Sequence, residues 1–407
     1  MKKYVAMASM LGLSAATLFG AGYKIPEQSL NGVALSAAYV ANAKGADASY
    51  YNPANMAFSP AGAALEMGMT YINLPSIKYE DVTPAYSGDS KVENFLVPTF
   101  HYISPEVNKW RFGLSFTAPG GLSKRWDNGY SKATAQEFTL KIMELNPTAS
   151  YKVNDKFAIG FGVRGVYTDG IVKSDANGVG VNLVRDLNGD SIDFGYNLAL
   201  SYKPIKEMTL SATYRSKVDL TVEGNAKLTS PIGGHYDGGA SVTIPLPATL
   251  DLAAAYTFDK TTVELVYERV YWSSYKNLDF NYNGTITDPY LLAKFDASIP
   301  KNWKDTNTYR IGITHQYSDK LKLMLGFAID ESPVPSDTLG FELPDSDAKL
   351  YSVGFEYQVN KATSFGLAYL YDQKKTRTIT PTNSGHVNGT FKDASAHLVT
   401  ASIKYRF

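Results

Sequence analysis

The feature that most restricts what this chain can fold into is a strict two-residue alternation that recurs along it and runs to the last residue. From Tyr351 to Val359 the apolar side chains Tyr351, Val353, Phe355, Tyr357 and Val359 interleave with Ser352, Gly354, Glu356 and Gln358. Val399, Ala401, Ile403, Tyr405 and Phe407 alternate in the same way with Thr400, Ser402, Lys404 and Arg406. A period of two places each set on one face of a β-strand. Similar stretches begin at Trp110, Phe157, Tyr309 and Leu321, and none has helical spacing. Each strand therefore has an oily face and a wet face, which suits either a soluble sandwich or a membrane barrel.

The N-terminus narrows the choice. Lys2 and Lys3 precede an apolar run from Val5 to Phe19, and the small residues Gly20, Ala21 and Gly22 follow. This layout predicts a secretory signal peptide over residues 1–20, removed after Gly20 or Ala21. No later stretch approaches the roughly 18 to 20 consecutive apolar residues of a membrane-spanning helix. The absence of cysteine fits a chain that crosses an oxidising compartment without needing disulfides. An exported chain without a helical anchor is either soluble or a closed barrel.

Loop rhythm separates the two. Beyond Gly62 there are about fourteen strand candidates, mostly longer than globular strands. Short connections fall at Asn154-Asp155, Pro204 to Glu207, Asp259-Lys260, Ser318 to Lys320 and Asn360-Lys361. Long polar ones fall between them, near Tyr79 to Lys91, Ser174 to Asp190, Glu223 to Gly239, Tyr282 to Trp303, Ser332 to Asp345 and Thr378 to Asp393. Short periplasmic turns opposite long extracellular loops are the outer-membrane pattern. The predicted fold is all-β: a transmembrane antiparallel β-barrel of about fourteen strands over residues 62–407, in contact with the lipid of a Gram-negative outer membrane, and monomeric. A mean hydropathy of −0.19 agrees, because only the lipid face of such a wall must be apolar. With 39 basic and 39 acidic side chains there is no electrostatic case for nucleic acid. Tyr71, Tyr79, Tyr102, Trp110, Trp272, Tyr275 and Tyr405 are candidates for interfacial girdles or for ordinary cross-strand packing.

Residues 21–61 do not read as wall. They are rich in Ala, Gly, Ser and Asn, without sustained alternation, and Gly32 to Ala43 could form a short helix with Ala34, Ala38 and Ala41 on one face. A piece this small cannot build its own core. It is predicted to pack in the lumen as a hatch; the alternative is a disordered periplasmic arm.

Several blocks closely resemble the FadL/TodX family of hydrophobic-compound transporters. The N-terminal block carries Glu27-Gln28-Ser29, Gly32, Ala46-Asp47-Ala48 and Asn52, Pro53 and Ala54. A late block runs through Asp330, Ser332, Pro333, Val334 and Pro335 to Pro344, Asp345 and Asp347. YRSKVDLTVEGN from Tyr214 and YERVYWSSYKNL from Tyr267 are similar to two further family segments. The resemblance implies a fourteen-stranded barrel closed by an N-terminal hatch. It also implies uptake of long-chain fatty acids or hydrocarbons by loop capture, binding beside the hatch and lateral exit through the wall. Pro119, with Gly120 and Gly121, could break the ladder to make that gap, or could simply start an outer loop.

For a fatty-acid carboxylate the resemblance points to Lys173, next to Ser174 at a family arginine position, and to Lys301, close to a family lysine position. Neither is in register, which leaves neutral hydrocarbons open as substrates. Asp330 could hold the hatch or a lumen cation, and Asn52 and Pro53 are expected to end the hatch and hold it against the wall through the Asn52 amide. Other chemistry is thin. The five histidines lack metal-ligand spacing and no G-x-S-x-G elbow is present, so neither a cofactor nor an enzyme is expected. Asp186, Asn188 and Asp190 imitate the start of a calcium loop, but Ser191 replaces its required glycine, and a polar turn is the simpler reading. The rival functions are a general porin or adhesin and a surface lipase.

Overall fold

A computed structural model describes residues 22–407; the expected signal peptide lies outside the described residues. Fourteen antiparallel strands follow one another around a closed wall. They are β1 (Ala64–Leu74), β2 (Glu93–Ile103), β3 (Trp110–Arg125), β4 (Glu137–Lys152), β5 (Phe157–Asp175), β6 (Val184–Tyr202), β7 (Met208–Arg215 and Val218–Thr229), β8 (His235–Leu246 and Thr249–Phe258), β9 (Thr261–Val270 and Phe280–Tyr282), β10 (Thr306–Gln316), β11 (Leu321–Asp330), β12 (Ala348–Gln358), β13 (Thr363–Lys374) and β14 (Ser395–Arg406). β7, β8 and β9 are each broken once, so the sheet comprises seventeen pieces. Besides β2, β1 also pairs with β14, from Ala64↔Arg406 to Asn73↔His397. That last ladder removes the sheet's free edges, whose unpaired amides lipid could not satisfy.

Burial is inverted relative to a protein folded in water. On β1, Met67, Met69 and Tyr71 are exposed while Glu66 and Thr70 are buried. On β6, Ile192, Phe194, Tyr196, Leu198, Leu200 and Tyr202 face out, and Asn197 and Ser201 face in. An apolar exterior around a polar interior is stable only where the exterior meets hydrocarbon. Among the described residues no helix is long and apolar enough to cross a membrane.

The strands exceed their expected lengths at the outer end. β5 continues to Asp175 and β6 resumes at Val184, so most of the stretch from Ser174 to Asp190 is ladder. The stretch from Glu223 to Gly239 is mostly ladder too. Above the lipid a hairpin needs no apolar face, and polar cross-strand pairs such as Lys173–Asp186 at 3.6 Å serve instead. Asp186, Asn188 and Asp190 lie on this strand and form neither a turn nor a calcium loop. Of the girdle candidates, Tyr71, Trp110 and Tyr405 are exposed at the wall, whereas Tyr79, Trp272 and Tyr275 are buried. The last two lie on a short turn that leaves β9 and folds inward.

The chain from Gly22 to Gly62 runs inside the wall. The first of its helices spans only Leu30–Ala34, capped by Ser29 Oγ accepting from Gly32 N at 3.1 Å, and short turns follow at Ala48–Tyr51 and Pro53–Phe58. The expected continuation to Ala43 is absent for two reasons. Ser36 and Ala37 take left-handed backbone, with φ of 49° and 58°. The amides of Val40, Ala41 and Asn42 then donate to the Glu264 carboxylate on β9, at 2.7, 2.5 and 3.2 Å, instead of to helix carbonyls. Asp47 ties the segment to itself, accepting from Ser29 Oγ, Asn31 Nδ2 and Tyr39 OH.

The wall is thinned where this segment touches it. A Cβ added to Gly160 would lie 2.5 Å from Ala54 N, one on Gly312 2.8 Å from Ala38 O, and one on Gly326 2.2 Å from Leu35 C. Gly354 and Gly366 meet Ala34 and Leu30 equally closely. Contacts of that kind exclude any larger residue unless the backbone moves.

Candidate functional site

Above the N-terminal segment lies an apolar cavity of about 790 Å³, its mouth included. Tyr23 stands at its base, with its hydroxyl donating to Pro245 O at 2.5 Å. Its ring meets Trp272 edge-on at 4.7 Å, and Trp303 packs 4.9 Å from both Trp272 and Tyr275. Side walls come from Leu187, Val222, Val242 and Phe280. The space exists because small residues stand in a row across four adjacent strands: Gly170 pairs with Gly189, Gly189 with Gly224 and Gly224 with Ala240. All four line the cavity.

The sequence candidates fall in different places. Lys301 lines the cavity, buried, and is paired with Glu342. Burial alone would raise the Glu342 carboxyl, but the Lys301 ammonium outweighs it and holds the group below its ordinary value. Lys173 does not reach the cavity; it lies on the outward face of β5, half-exposed, against Asp186. Asp330 is buried at the end of β11, accepting from Thr308 Oγ1 at 2.6 Å. Asn52 donates to Val40 O and, on β6, to Ser201 Oγ at 2.9 Å, and accepts from Ala54 N across Pro53.

The Ser332-to-Asp347 stretch forms a loop that folds down over the cavity. Ser332 Oγ donates to Asp345 at 2.6 Å and its amide to Asp347 at 3.0 Å. Arg377 clamps the carbonyls of Asp345 and Val334, Pro333 O accepts from Lys304 N, and Pro335 O from Thr338 N. These bonds carry Glu342 and Leu343 into the cavity wall.

Sequence reasoning missed Arg185. This β6 side chain is 6% exposed and sits over Phe280 and Phe295, 5.3 Å from each ring centre. Among the described residues no carboxylate pairs with it, and its Nε has no hydrogen-bond partner. Its only sequence signal is parity: Arg185 shares the inward phase of Leu187, and it lies across the ladder from Ser174.

Pro119 does not start a loop. It lies inside β3, where the β3–β4 register shifts between Thr117 and Gly120. There β3 turns to the N-terminal segment: Ile25 N donates to Pro119 O, Gly121 N to Tyr23 O, and Gln28 exchanges two bonds with the Ala118 backbone. The cost appears on the other edge. β2 pairs with β3 only over Phe100–Ile103, and the next backbone contacts are at Lys91 and Ser90, with the Glu93 carboxylate accepting from Ser123 Oγ and pairing with Arg125 just below them. Among the described residues the wall has no ladder between Glu93–Thr99 and Thr117–Lys124.

Comparisons with known proteins agree with this architecture. The sequence matches the family described as outer membrane protein transport protein (OMPP1/FadL/TodX) over residues 11–407. It is 24% identical to the long-chain fatty acid transport protein of Escherichia coli K12 over 386 residues, covering 81% of this chain and 83% of that protein. The fold is similar to the crystal structure of a Pseudomonas aeruginosa FadL homologue, with a TM-score of 0.81 at 21% identity over 95% and 100% of the two chains. It is also similar to the P. putida toluene transporter TodX, with a TM-score of 0.72 at 20% identity over 93% and 99%. With the match spanning the whole wall and the segment inside it, the chain belongs to the OMPP1/FadL/TodX family of outer-membrane transport proteins.

Proposed function

We propose that this barrel carries small hydrophobic molecules, long-chain fatty acids or hydrocarbons, inward across the outer membrane, as a monomer and without catalysing a reaction. The observation that carries this reading is the apolar cavity seated on Tyr23 with two buried cations, Lys301 at its wall and Arg185 behind Phe280. An aqueous pore gives an apolar solute no affinity, whereas an enclosed apolar space with a few placed polar groups does. Outer loops capture the molecule, the cavity holds it above the N-terminal hatch, and it leaves sideways between β2 and β3 without crossing the lumen in water. The unladdered stretch around Pro119 supports that exit, since it adjoins Tyr23 and Ile25.

Arg185 is the favoured carboxylate partner because Lys301 and Lys173 are already in direct ion pairs, whereas Arg185 feels the Glu342 charge without touching it. The test is binding to purified barrel in detergent. Fatty-acid affinity should fall after Arg185→Ala, less after Lys301→Ala and not after Lys173→Ala, while toluene binding stays constant in all three. Binding of neither ligand class by folded protein would overturn the reading.

A further inference from the structure

The wall has a second interruption, four strands round from the gap between β2 and β3. β6 pairs with the first piece of β7 as far as Asn197↔Arg215, and with the second piece only from Asp190↔Glu223 onward. Among the described residues no ladder pair joins residues 191–196 to residues 216–222. The β7 side carries one residue more, so its inward phase shifts from Ser211, Thr213 and Arg215 to Val218, Leu220 and Val222. Both flanks are anchored elsewhere, β6 along its length to β5 and β7 to β8. One backbone bond, Ser216 N to Tyr196 O at 2.9 Å, closes the lower end of the slot. Above it one side-chain bond spans the slot, from Thr221 N to the Asp193 carboxylate at 3.2 Å, and Ser191 Oγ on the same strand as Asp193 holds that carboxylate at 2.7 Å.

The two faces of this slot differ in a way that suits one kind of molecule. Its inner edge is apolar and continuous with the cavity, since Val218 and Leu220 are buried beside Val222, which lines it. Its outer edge lies at the top of the lipid band: Ile192 is 67% and Phe194 72% exposed, and the next outward positions on β6 are Asp190 and Asn188. The opposite lip is polar, with Lys217 and Asp219 paired at 2.8 Å and Thr221 above them. A single-chain amphiphile in the outer leaflet has its head group at this height and its chain below.

We propose that the slot between β6 and β7 is a second lateral passage, through which a single-chain amphiphile passes from the outer leaflet into the cavity. The chain slides between Phe194 and Leu220 while the head group stays at the polar lip until the chain is inside. Passage requires parting the Thr221–Asp193 bond, not a full ladder, because the ladder is already missing there. The inference rests on the reading of the cavity as the seat of the carried molecule.

The chain lacks cysteine, so the slot can be bridged selectively with Phe194→Cys and Asp219→Cys, two exposed positions, joined by a short bis-maleimide. Proteoliposomes are loaded with a diazirine-bearing long-chain fatty acid in the bilayer, and a photoreactive toluene analogue is added separately from the aqueous side. In the unbridged variant the fatty acid should label Val218, Leu220 and Val222 as well as the cavity. Bridging should lower cavity labelling by the fatty acid several-fold, to what enters by the β2–β3 gap, and leave labelling by the toluene analogue unchanged. Fatty-acid labelling that is undiminished by bridging, or that never reaches Val218 to Val222 while the toluene analogue labels the cavity, overturns the passage alone. If neither probe labels the cavity of the unbridged protein, the transport reading falls and takes the passage with it.

Discussion

Glu264 shows how a single side chain can decide the path of a whole segment. Its carboxylate takes the three amides that would otherwise continue a helix beyond Ala34. Glu264→Ala strands those amides and should cost on the order of 3 kcal/mol, read as a lower urea midpoint for loss of the native barrel. Glu27 makes a pH-dependent contribution. Burial raises its carboxyl to about 7, against the opposing pull of Arg310. The folded protein therefore holds the protonated form more tightly than the unfolded chain does. That stabilisation is complete below the ordinary value of 4.5 and is lost as pH rises through about 7. The N-terminal segment should resist urea and protease better at pH 5 than at pH 8, and Glu27→Gln should flatten the difference; an unchanged profile in that variant would assign the effect elsewhere. Neither role could be read from the sequence. Alternation says that Glu264 points inward, but what it meets depends on a segment more than two hundred positions earlier. The same limit explains Lys173 and Lys301, alike in the linear chain yet separated by strand parity and by the fold of one loop.

At the level of strands and segments, what was legible followed from local periodicity. The alternation starting at Trp110, Phe157 and Leu321 marks the starts of β3, β5 and β11. Strand ends at the outer side were misjudged because a polar hairpin above the lipid looks like a loop. The wall's irregularities leave a fainter trace. In β7 the inward phase slips at Ser216 and Lys217, and in β8 it slips at Pro247 and Ala248, between the two pieces of each strand. Glycines at inward positions carry a second message, marking either the seat of the N-terminal segment or the cavity. The two uses predict opposite outcomes. Gly326→Val collides with Leu35 backbone, so it should destabilise by about 1–3 kcal/mol and raise ion conductance by displacing the segment. At Gly170 an added Cβ meets only Val222, at 3.6 Å. Gly170→Leu should leave the barrel as stable as before and weaken ligand binding by filling the cavity, which calorimetry would register.

For the whole molecule the decisive question is what the interior segment does to the lumen. Removing Gly22 to Ala57 takes away the residues seated on Gly160, Gly312 and Gly326 and leaves a polar-lined tube. Planar-bilayer recording should then show a large steady conductance that the intact chain lacks. Assembly of the shortened barrel without any rise would mean that the segment is not a hatch. The fold class itself was legible because closure, export and alternation all constrain the same wall, whereas the cavity was not, since it is assembled from Tyr23, β3 through β9 and two loops. The ladder between β1 and β14 has a further consequence, one of timing. Ala64 emerges early in synthesis and cannot find its partner until Arg406 has been made. The ring therefore cannot close while the ribosome is still at work, and the loop-closure entropy of nearly the entire chain is offset in a single late step. Gly22 to Gly62 are made before Ala64 and are present throughout, and the joining of the two ends is the step that turns the wall around them into a ring.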